Sequence, residues 1–362
     1  MTDPESIAGF FAPWLMTFGI TVLGLVLPGR WYVGYVDDER TGEKLAYRLN
    51  GWLVLLVSAA LWYGLGRADI LPLGWLYEHR WEGLAGAFTL GMIFTTAIVL
   101  PVPSTGRAFV VDVFLGRLVN PQLWGGRLDA KMWLYMVGAV ILELNALSFC
   151  AHHVLAFPAD PNPGILLCTA LITYFVVDYM TFERVHLYTY DIFAERVGFK
   201  LGWGCLVFYP YFYTVALWNT AGEPNPGTPV WLLGLAGLTF LLGWSLARGA
   251  NLQKFVFKRD PDATFLGIRP EVVTDGRRRL LASGFWGVSR HVNYLGEVLM
   301  GCGIALSVSW GGDLTPWLYP LYYVLLLFPR QVDDDRRCAE KYGPLWDEYV
   351  ARVRWRIIPY VW

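Results

Sequence analysis

Residues 281–297 read Leu-Ala-Ser-Gly-Phe-Trp-Gly-Val-Ser-Arg-His-Val-Asn-Tyr-Leu-Gly-Glu. Arg290, His291, Asn293, Tyr294 and Glu297 form an ordered polar cluster at the mouth of an apolar run that continues through Met300, Ile304 and Leu306. Ser283, Gly284 and Gly287 around Phe285 and Trp286 make a tight turn feeding a membrane helix. With the helix starting near His291, Tyr294 and Glu297 lie three residues apart on one face, where both can address one ligand. Taken singly, these residues also suit the hydrated end of a membrane helix, Arg290 reaching for headgroups and Tyr294 in an aromatic belt. Glu297 fits that reading poorly, because an ionisable group inside an apolar run is costly and is by default a functional candidate.

Outward from this stretch, composition sets the class. The 362 residues are 55% hydrophobic and 16% charged, against roughly 25% charged in soluble domains, and the mean hydropathy is +0.40. This is an integral, multi-pass membrane protein. Apolar runs at about 10–28, 51–68, 83–103, 132–157, 164–182, 201–220, 229–247, 294–310 and 314–328 predict eight to ten spans across a core of ~30 Å. The period is helical throughout, without alternating ten-residue segments, so the expectation is an all-α bundle and not an outer-membrane barrel. Residues 1–9 lack a basic leader region, so the first run is read as a retained span.

The net charge of −1 conceals an asymmetry: eight of the 29 Lys and Arg lie between Arg248 and Arg279, and seven more between Arg330 and Arg356. The positive-inside rule puts both segments, and the tail 330–362, on the cytoplasmic side. The five cysteines are scattered and indicate neither a disulfide framework nor a zinc site. No GxGxxG after a strand, Walker loop or HExxH occurs, so any nucleotide is held by something other than a soluble Rossmann domain. Neither a metal nor a nucleic acid is expected as a partner.

Further polar groups punctuate the spans. The loop 28–51 reads as a polar turn, and 104–131 as a turn at Gly116-Arg117-Leu118-Val119-Asn120-Pro121. Glu143, Asn145, His152 and His153 intrude on the fourth span; adjacent histidines leave a helix on different faces, which disfavours a two-His metal pair. Asp178, Tyr179 and Glu183 at the end of the fifth span, with Asp191 beyond, form the second cluster of ionisable groups at membrane depth. Lys254 and Lys258 share a helix face at i, i+4, two cations that a phosphate would reconcile and anionic lipid would also attract. In the tail, Tyr342, Trp346 and Tyr349 recur as one aromatic stripe that suits an adenine, a nicotinamide or lipid alike.

These segments together resemble the sterol reductase family: the sterol C14 reductases, the 7-dehydrocholesterol reductases and the membrane domain of the lamin B receptor. The resemblance rests on Ser283-Gly284-Phe285-Trp286-Gly287 with Arg290-His291-x-Asn293-Tyr294-x-Gly296-Glu297, and on Arg248-Gly-Ala-Asn251-x-Gln253-Lys254. It extends through Asp334-x-x-x-Cys338-x-x-Lys341-Tyr342-Gly343-x-x-Trp346-x-x-Tyr349 to Pro359-Tyr360, with looser echoes at Tyr47-x-x-Asn50-Gly51 and Gly198-Phe199-x-Leu201-x-Trp203-Gly204. It implies a single membrane domain over 1–362 with about ten helices: an N-terminal part, 1–200, and a cofactor- and substrate-binding part, 201–362, whose C-terminal helices enclose NADPH. By matched position, Lys254 and Lys258 hold phosphate, Arg330 and Asp334 fix the cofactor, and Trp286 lines the nicotinamide region. Arg290, His291, Asn293, Tyr294, Tyr342, Trp346 and Tyr349 complete the pocket. The implied reaction adds a proton and then a hydride across a ring double bond, of Δ14 or Δ7 type, in a sterol or other polycyclic lipid. Glu183, Asp178 and Tyr179 are the candidates on the proton-supplying side, with Glu297 at the pocket. The implied setting is a bacterial inner membrane or the endoplasmic reticulum, with membrane lipid around the chain.

The chain departs from the family pattern in places. Glu297 stands for an Asp, Val292 for a Pro, Asp333 for an Arg and Cys205 for an Asp; Met132-Trp-Leu-Tyr-Met-Val-Gly138 occupies the place of a Glu-Leu-Arg-Pro-Gly segment. Two other readings stay open on the residues alone. One is a membrane methyltransferase of the isoprenylcysteine carboxyl type using S-adenosylmethionine, which the paired lysines disfavour; the other is a non-catalytic sterol-binding protein.

Overall fold

The structure is a computed structural model that describes residues 3–38 and 41–362. It divides into two compact units, residues 1–227 and 228–362. Both are mainly helical, and five helices are long and apolar enough to cross a bilayer, with two shorter apolar helices at Gly51–Arg67 and Val292–Ser307.

Unit 1 begins with α1 (Pro4–Val26), opened by a proline in the first turn, where the missing N–H costs nothing. The segment 28–51, expected as a polar turn, is an antiparallel ribbon of β1 (Arg30–Asp37) and β2 (Lys44–Leu49). Alternate residues Leu45, Tyr47 and Leu49 turn inward and pack on Met132, Leu187 and Ile192, a two-residue period that the interleaved charges hide in the sequence. The ribbon also closes α1. Arg48 Nη1 donates to the carbonyls of Gly24 (2.7 Å) and Leu25 (3.1 Å), and Asn50 Nδ2 to those of Gly24 (3.0 Å) and Leu27 (3.1 Å). A cation and an amide thus satisfy the orphan carbonyls at the negative end of the helix.

There follow α2 (Gly51–Arg67), α3 (Trp75–Glu78), α4 (Arg80–Val99), α5 (Phe109–Leu115) and a minimal ribbon of β3 (Gln122–Leu123) and β4 (Leu128–Asp129). At the 116–121 turn, Arg117 bonds the Asp112 carboxylate (3.0 Å) and the carbonyls of Val99 (3.2 Å) and Val102, closing α4 as Arg48 closes α1.

The core of unit 1 is α6 (Ala130–Ala156), 78% buried over its most apolar window against 28–44% for the four other long spans. Asp129 starts it, Oδ1 accepting from the amides of Lys131 (3.0 Å) and Met132 (3.1 Å). α7 (Pro163–Thr181) is started by Asn162, whose Oδ1 accepts from Gly164 N (2.8 Å). Short helices α8 (Glu183–His186), α9 (Tyr190–Phe193) and α10 (Phe199–Trp203) follow. The run 201–220, expected as one span, is broken: α10 leads into a π-helical stretch, Gly204–Phe212, and then α11 (Val215–Trp218). Pro210 lies inside the π stretch; it has no N–H and its ring displaces the carbonyl one turn back, so the helix rewinds.

Unit 2 is built on α12 (Val230–Arg259), 30 residues long, packed on α14 (Val292–Ser307). The contact is made by small residues. A Cβ on Gly296 would stand 2.5 Å from both the Ala247 amide and the Gly243 carbonyl, and one on Gly303 would stand 2.7 Å from Phe240 N. Backbone against backbone is the association that lipid permits, since apolar side chains gain nothing over hydrocarbon. Between these helices run β5 (Val272–Thr274), β6 (Arg279–Leu281) and the single turn α13 (Phe285–Val288). α15 (Leu318–Tyr342) extends the expected run 314–328 far into the polar tail, and α16 (Pro344–Arg352) follows a bend at Gly343, whose φ of +56° is open to glycine.

Gly296→Leu should abolish or sharply destabilise unit 2, because the neighbours it meets are main chain and cannot move aside; overpacking of this kind costs ~1–3 kcal/mol or more. Gly237→Ala, on α12 with open space around its Cβ, should leave the detergent-solubilised melting temperature unchanged or raise it slightly. Equal melting temperatures for both variants would refute the close packing.

Candidate functional site

In unit 2 the two basic and aromatic motifs clasp one another. Gln253 of α12 reaches the turn before α13, Oε1 accepting from Phe285 N (3.0 Å) and Nε2 donating to Ser283 O (3.1 Å). Between those partners Gly284 takes φ +62°, and a Cβ there would collide with Gln253. Trp286 Nε1 donates to Ala250 O (2.8 Å), the Lys254 ammonium lies 5.3 Å from the Trp286 ring centre, and Tyr349 OH donates to Trp286 O (3.3 Å). Lys254 is half-buried and Lys258, one turn on, is exposed.

The polar mouth of α14 is organised by α15 and the tail. Arg290 Nη1 donates to the carbonyls of Val353 and Arg354 (both 3.0 Å), and Nη2 to Asp335 Oδ2 (3.2 Å). The backbone beside it is pinned as well: Arg290 N bonds Trp355 O (2.9 Å), His291 N bonds Arg356 O (2.8 Å) and Ser289 Oγ bonds Ile357 O (3.0 Å). Asp335 Oδ2 also accepts from Gln331 Nε2 (2.7 Å) and lies 3.5 Å from Arg356 Nε. His291 stands 3.7 Å from both the Asp334 and the Asp335 carboxylates and stacks on Tyr294. Burial pushes Asp335 up, but His291 and Arg290 outweigh it and hold the carboxyl below its ordinary range.

Among the described residues, three buried polar atoms in this neighbourhood, Arg290 Nε, Asn293 Oδ1 and Gln331 Oε1, have no hydrogen-bond partner, and His291 Nε2 and Asp335 Oδ1 face one another only at 3.7 Å. Buried polar groups are nearly always satisfied, so a cluster of this kind is suited to a further polar occupant. Arg330 and Asp334 lie half-buried on α15, and Glu297 half-buried on α14. Of the aromatic stripe, Trp346 and Tyr349 are buried against Val273, Ala282, Leu345 and Val353, with Tyr342 beside them, so the stripe covers the β5–β6 ribbon.

In unit 1, Glu183 opens α8, buried, with Oε2 accepting from Gly51 N at the start of α2 (3.1 Å). Tyr179, one turn earlier, stacks on His186 at 3.9 Å, and Asp178 is half-buried in the last turn of α7. The adjacent histidines separate: His152 stacks on Tyr77, while His153 is buried with Nε2 accepting from Asn162 N (2.8 Å).

Four polar side chains were not singled out as site residues from sequence: Asp335, Gln331, Gln253 and Lys131. Asp335 and Gln331 were findable as an i, i+4 pair one residue out of phase with Asp334. Lys131 is fully buried, its ammonium donating to the carbonyls of Asp191 (2.9 Å) and Ile192 (2.7 Å); nothing local marks it.

Residues 7–362 match the family described as ergosterol biosynthesis ERG4/ERG24. The chain is 31% identical to the Delta(14)-sterol reductase of Arabidopsis thaliana, over 95% of its own length and 93% of the relative's. It is 33% identical to the Delta(14)-sterol reductase of Mus musculus (97% and 86%) and 30% identical to that of Methylotuvimicrobium alcaliphilum (98% and 83%).

Two outcomes test this geometry. Asp335→Asn should lower stability by ~1–3 kcal/mol, since it weakens the acceptor for the buried Arg290 guanidinium; an unchanged melting temperature would show that Asp335 does not organise the tail. Glu183→Ala should lower stability by ~1–3 kcal/mol, because it leaves the buried Gly51 amide at the start of α2 without its acceptor; an unchanged melting temperature would show that this contact does not hold α2 in place.

Proposed function

Because the chain belongs to the ergosterol biosynthesis ERG4/ERG24 family, we infer that it is a sterol reductase of a biosynthetic pathway, using NADPH to saturate a sterol ring double bond. The names of its relatives favour the Δ14 bond over the Δ7. The observation that supports a cofactor in unit 2 most directly is the set of unsatisfied buried polar atoms around Asp335. A dinucleotide rich in amide, hydroxyl and phosphate groups suits donors and acceptors of that mixture.

On this reading Lys254 and Lys258 take the phosphates, as cations on one face of α12. Trp286, held by Ala250 O and Tyr349, gives the nicotinamide region a flat apolar wall. Asn293, Tyr294, Arg330 and Asp334 contribute from α14 and α15, with Tyr342, Trp346 and Tyr349 from the tail. Arg290 and His291 hold the tail in place and offer their unused nitrogens. Glu297 lies one turn beyond Asn293 and Tyr294, toward the apolar end.

A reduced nicotinamide supplies hydride when bound. The chain's own task is the proton and the cationic carbon it creates, which needs a dry surround with electron-rich faces. Glu183 is the proton-supplying group of this reading, as a buried carboxyl just past the end of α7 with Tyr179 and Asp178 beside it. We further assign the chain about ten spans and a cytoplasmic tail 330–362, as the Lys and Arg distribution supports. The membrane is a bacterial inner membrane or the endoplasmic reticulum.

NADPH should raise the melting temperature of the detergent-purified protein, as a ligand that binds only the folded state does, by an amount equivalent to ~2.7 kcal/mol at a hundredfold excess over Kd. NADH should act weakly, S-adenosylmethionine not at all, and Lys254→Ala with Lys258→Ala should lose most of the NADPH response. Stabilisation by S-adenosylmethionine alone, or loss of no response in the lysine variants, would overturn the assignment. Turnover is then checked by chromatography of Δ14 and Δ7 sterols, with saturation expected at Δ14.

A further inference from the structure

Glu143 lies near the middle of α6 and is 4% exposed. Its Oε1 accepts a hydrogen bond from Thr173 Oγ1 on α7 (2.8 Å), while Oε2 is buried without a partner. One turn before Thr173, on the same face of α7, Thr169 is also buried, and its hydroxyl finds only the weakly bonding thiol of Cys150 beside it. Among the described residues no lysine, arginine or histidine pairs with Glu143. The seam between α6 and α7 thus holds a carboxyl oxygen without a hydrogen-bond partner, inside the most deeply packed helix of unit 1.

A bare carboxylate in such a place is expensive, and a carboxyl without a cation resolves the cost by keeping its proton. As the neutral acid, Glu143 carries an Oε2–H that can donate, beside the Thr173 hydroxyl, whose oxygen can still accept. That pair complements one alcohol group. It is ill suited to release the proton for good, because no charge in the seam would steady the anion left behind. A sterol is a hydrocarbon body with a hydroxyl as its polar handle, and a site that reads a hydroxyl through buried polar groups rejects analogues lacking it.

We propose that the Glu143–Thr173 pair in the α6–α7 seam binds the hydroxyl group of the sterol. The proposal rests on the sterol reading above and deepens it. Glu143 is a specificity-determining group here, not the source of the proton that adds to the ring.

The test uses the full chain in nanodiscs and compares a Δ14 sterol with its deoxy analogue, in which hydrogen replaces the hydroxyl. Binding is read by competition against a fluorescent sterol, and turnover is read separately with NADPH present. Wild type should prefer the hydroxylated sterol by ~10-fold or more, the size of a buried hydrogen bond. In Glu143→Leu the preference should collapse to about twofold or less, with the NADPH-induced thermal shift intact. Glu143→Gln, of the same shape and still a donor, should keep most of the preference, and Thr173→Val should lose part of it. A preference that survives in Glu143→Leu, or an equal loss for both sterols, would overturn the proposal. So would a Gln variant that behaves as the Leu variant does. Because the preference is read in binding, absent turnover would count against the reductase reading alone.

Discussion

Asp335 is the point at which the polar end of unit 2 is tied together. One carboxylate meets the Arg290 guanidinium and the Gln331 amide, with Arg356 and His291 within 4 Å. Arg290 in turn holds the carbonyls at the end of α16. Remove the carboxylate, and a buried guanidinium loses its counter-charge while the tail loses the group that sets its path past α14. The geometry of every cofactor candidate on α14, α15 and α16 follows from this junction, because these helices meet there through hydrogen bonds as well as apolar contact.

Several motifs that look like ligand sets in the sequence hold the chain in the structure. Gln253 and Gly284 make a clasp; Arg290 spends one guanidinium nitrogen on two carbonyls; Trp346 and Tyr349 cover a β-ribbon. Lys254 lies over the Trp286 ring, and Asn293 Oδ1 is buried without a hydrogen-bond partner among the described residues. Unit 1 has motifs that hold the chain as well. Tyr47-x-x-Asn50-Gly51 and Gly116-Arg117 close helices, since carbonyls at a helix end inside or beside a membrane have no water to turn to.

The long helices were legible because hydropathy and length decide them: six of the nine apolar runs became single helices near their expected bounds, and 229–247 and 314–328 became the opening parts of longer ones, while five helices among the described residues are long and apolar enough to cross a bilayer. The polar cluster at 290–297 was legible as well, as a helix mouth. The β1–β2 ribbon was not, because charges interrupt both strands at Arg30, Asp37, Lys44 and Arg48 and leave only short apolar stretches between them. Nor was the π stretch, where a single proline changes the winding of an otherwise uniform apolar run. Lys131 and the Arg290 contact of Asp335 were hidden for a different reason. The partners lie 45 to 61 positions apart, and no local spacing encodes such pairs.

α12 has one more property that its length implies. Thirty residues at 1.5 Å each make a rod of about 45 Å, while the hydrocarbon slab is about 30 Å thick. The surplus, about ten residues, is continuous with the embedded part and carries Lys254 and Lys258 on it. A rod of this kind is a ruler: it fixes the altitude of the two ammonium groups above the lipid tails and forbids them from following a ligand up or down. Whatever anion they meet is therefore registered in depth against the bilayer before any side chain moves.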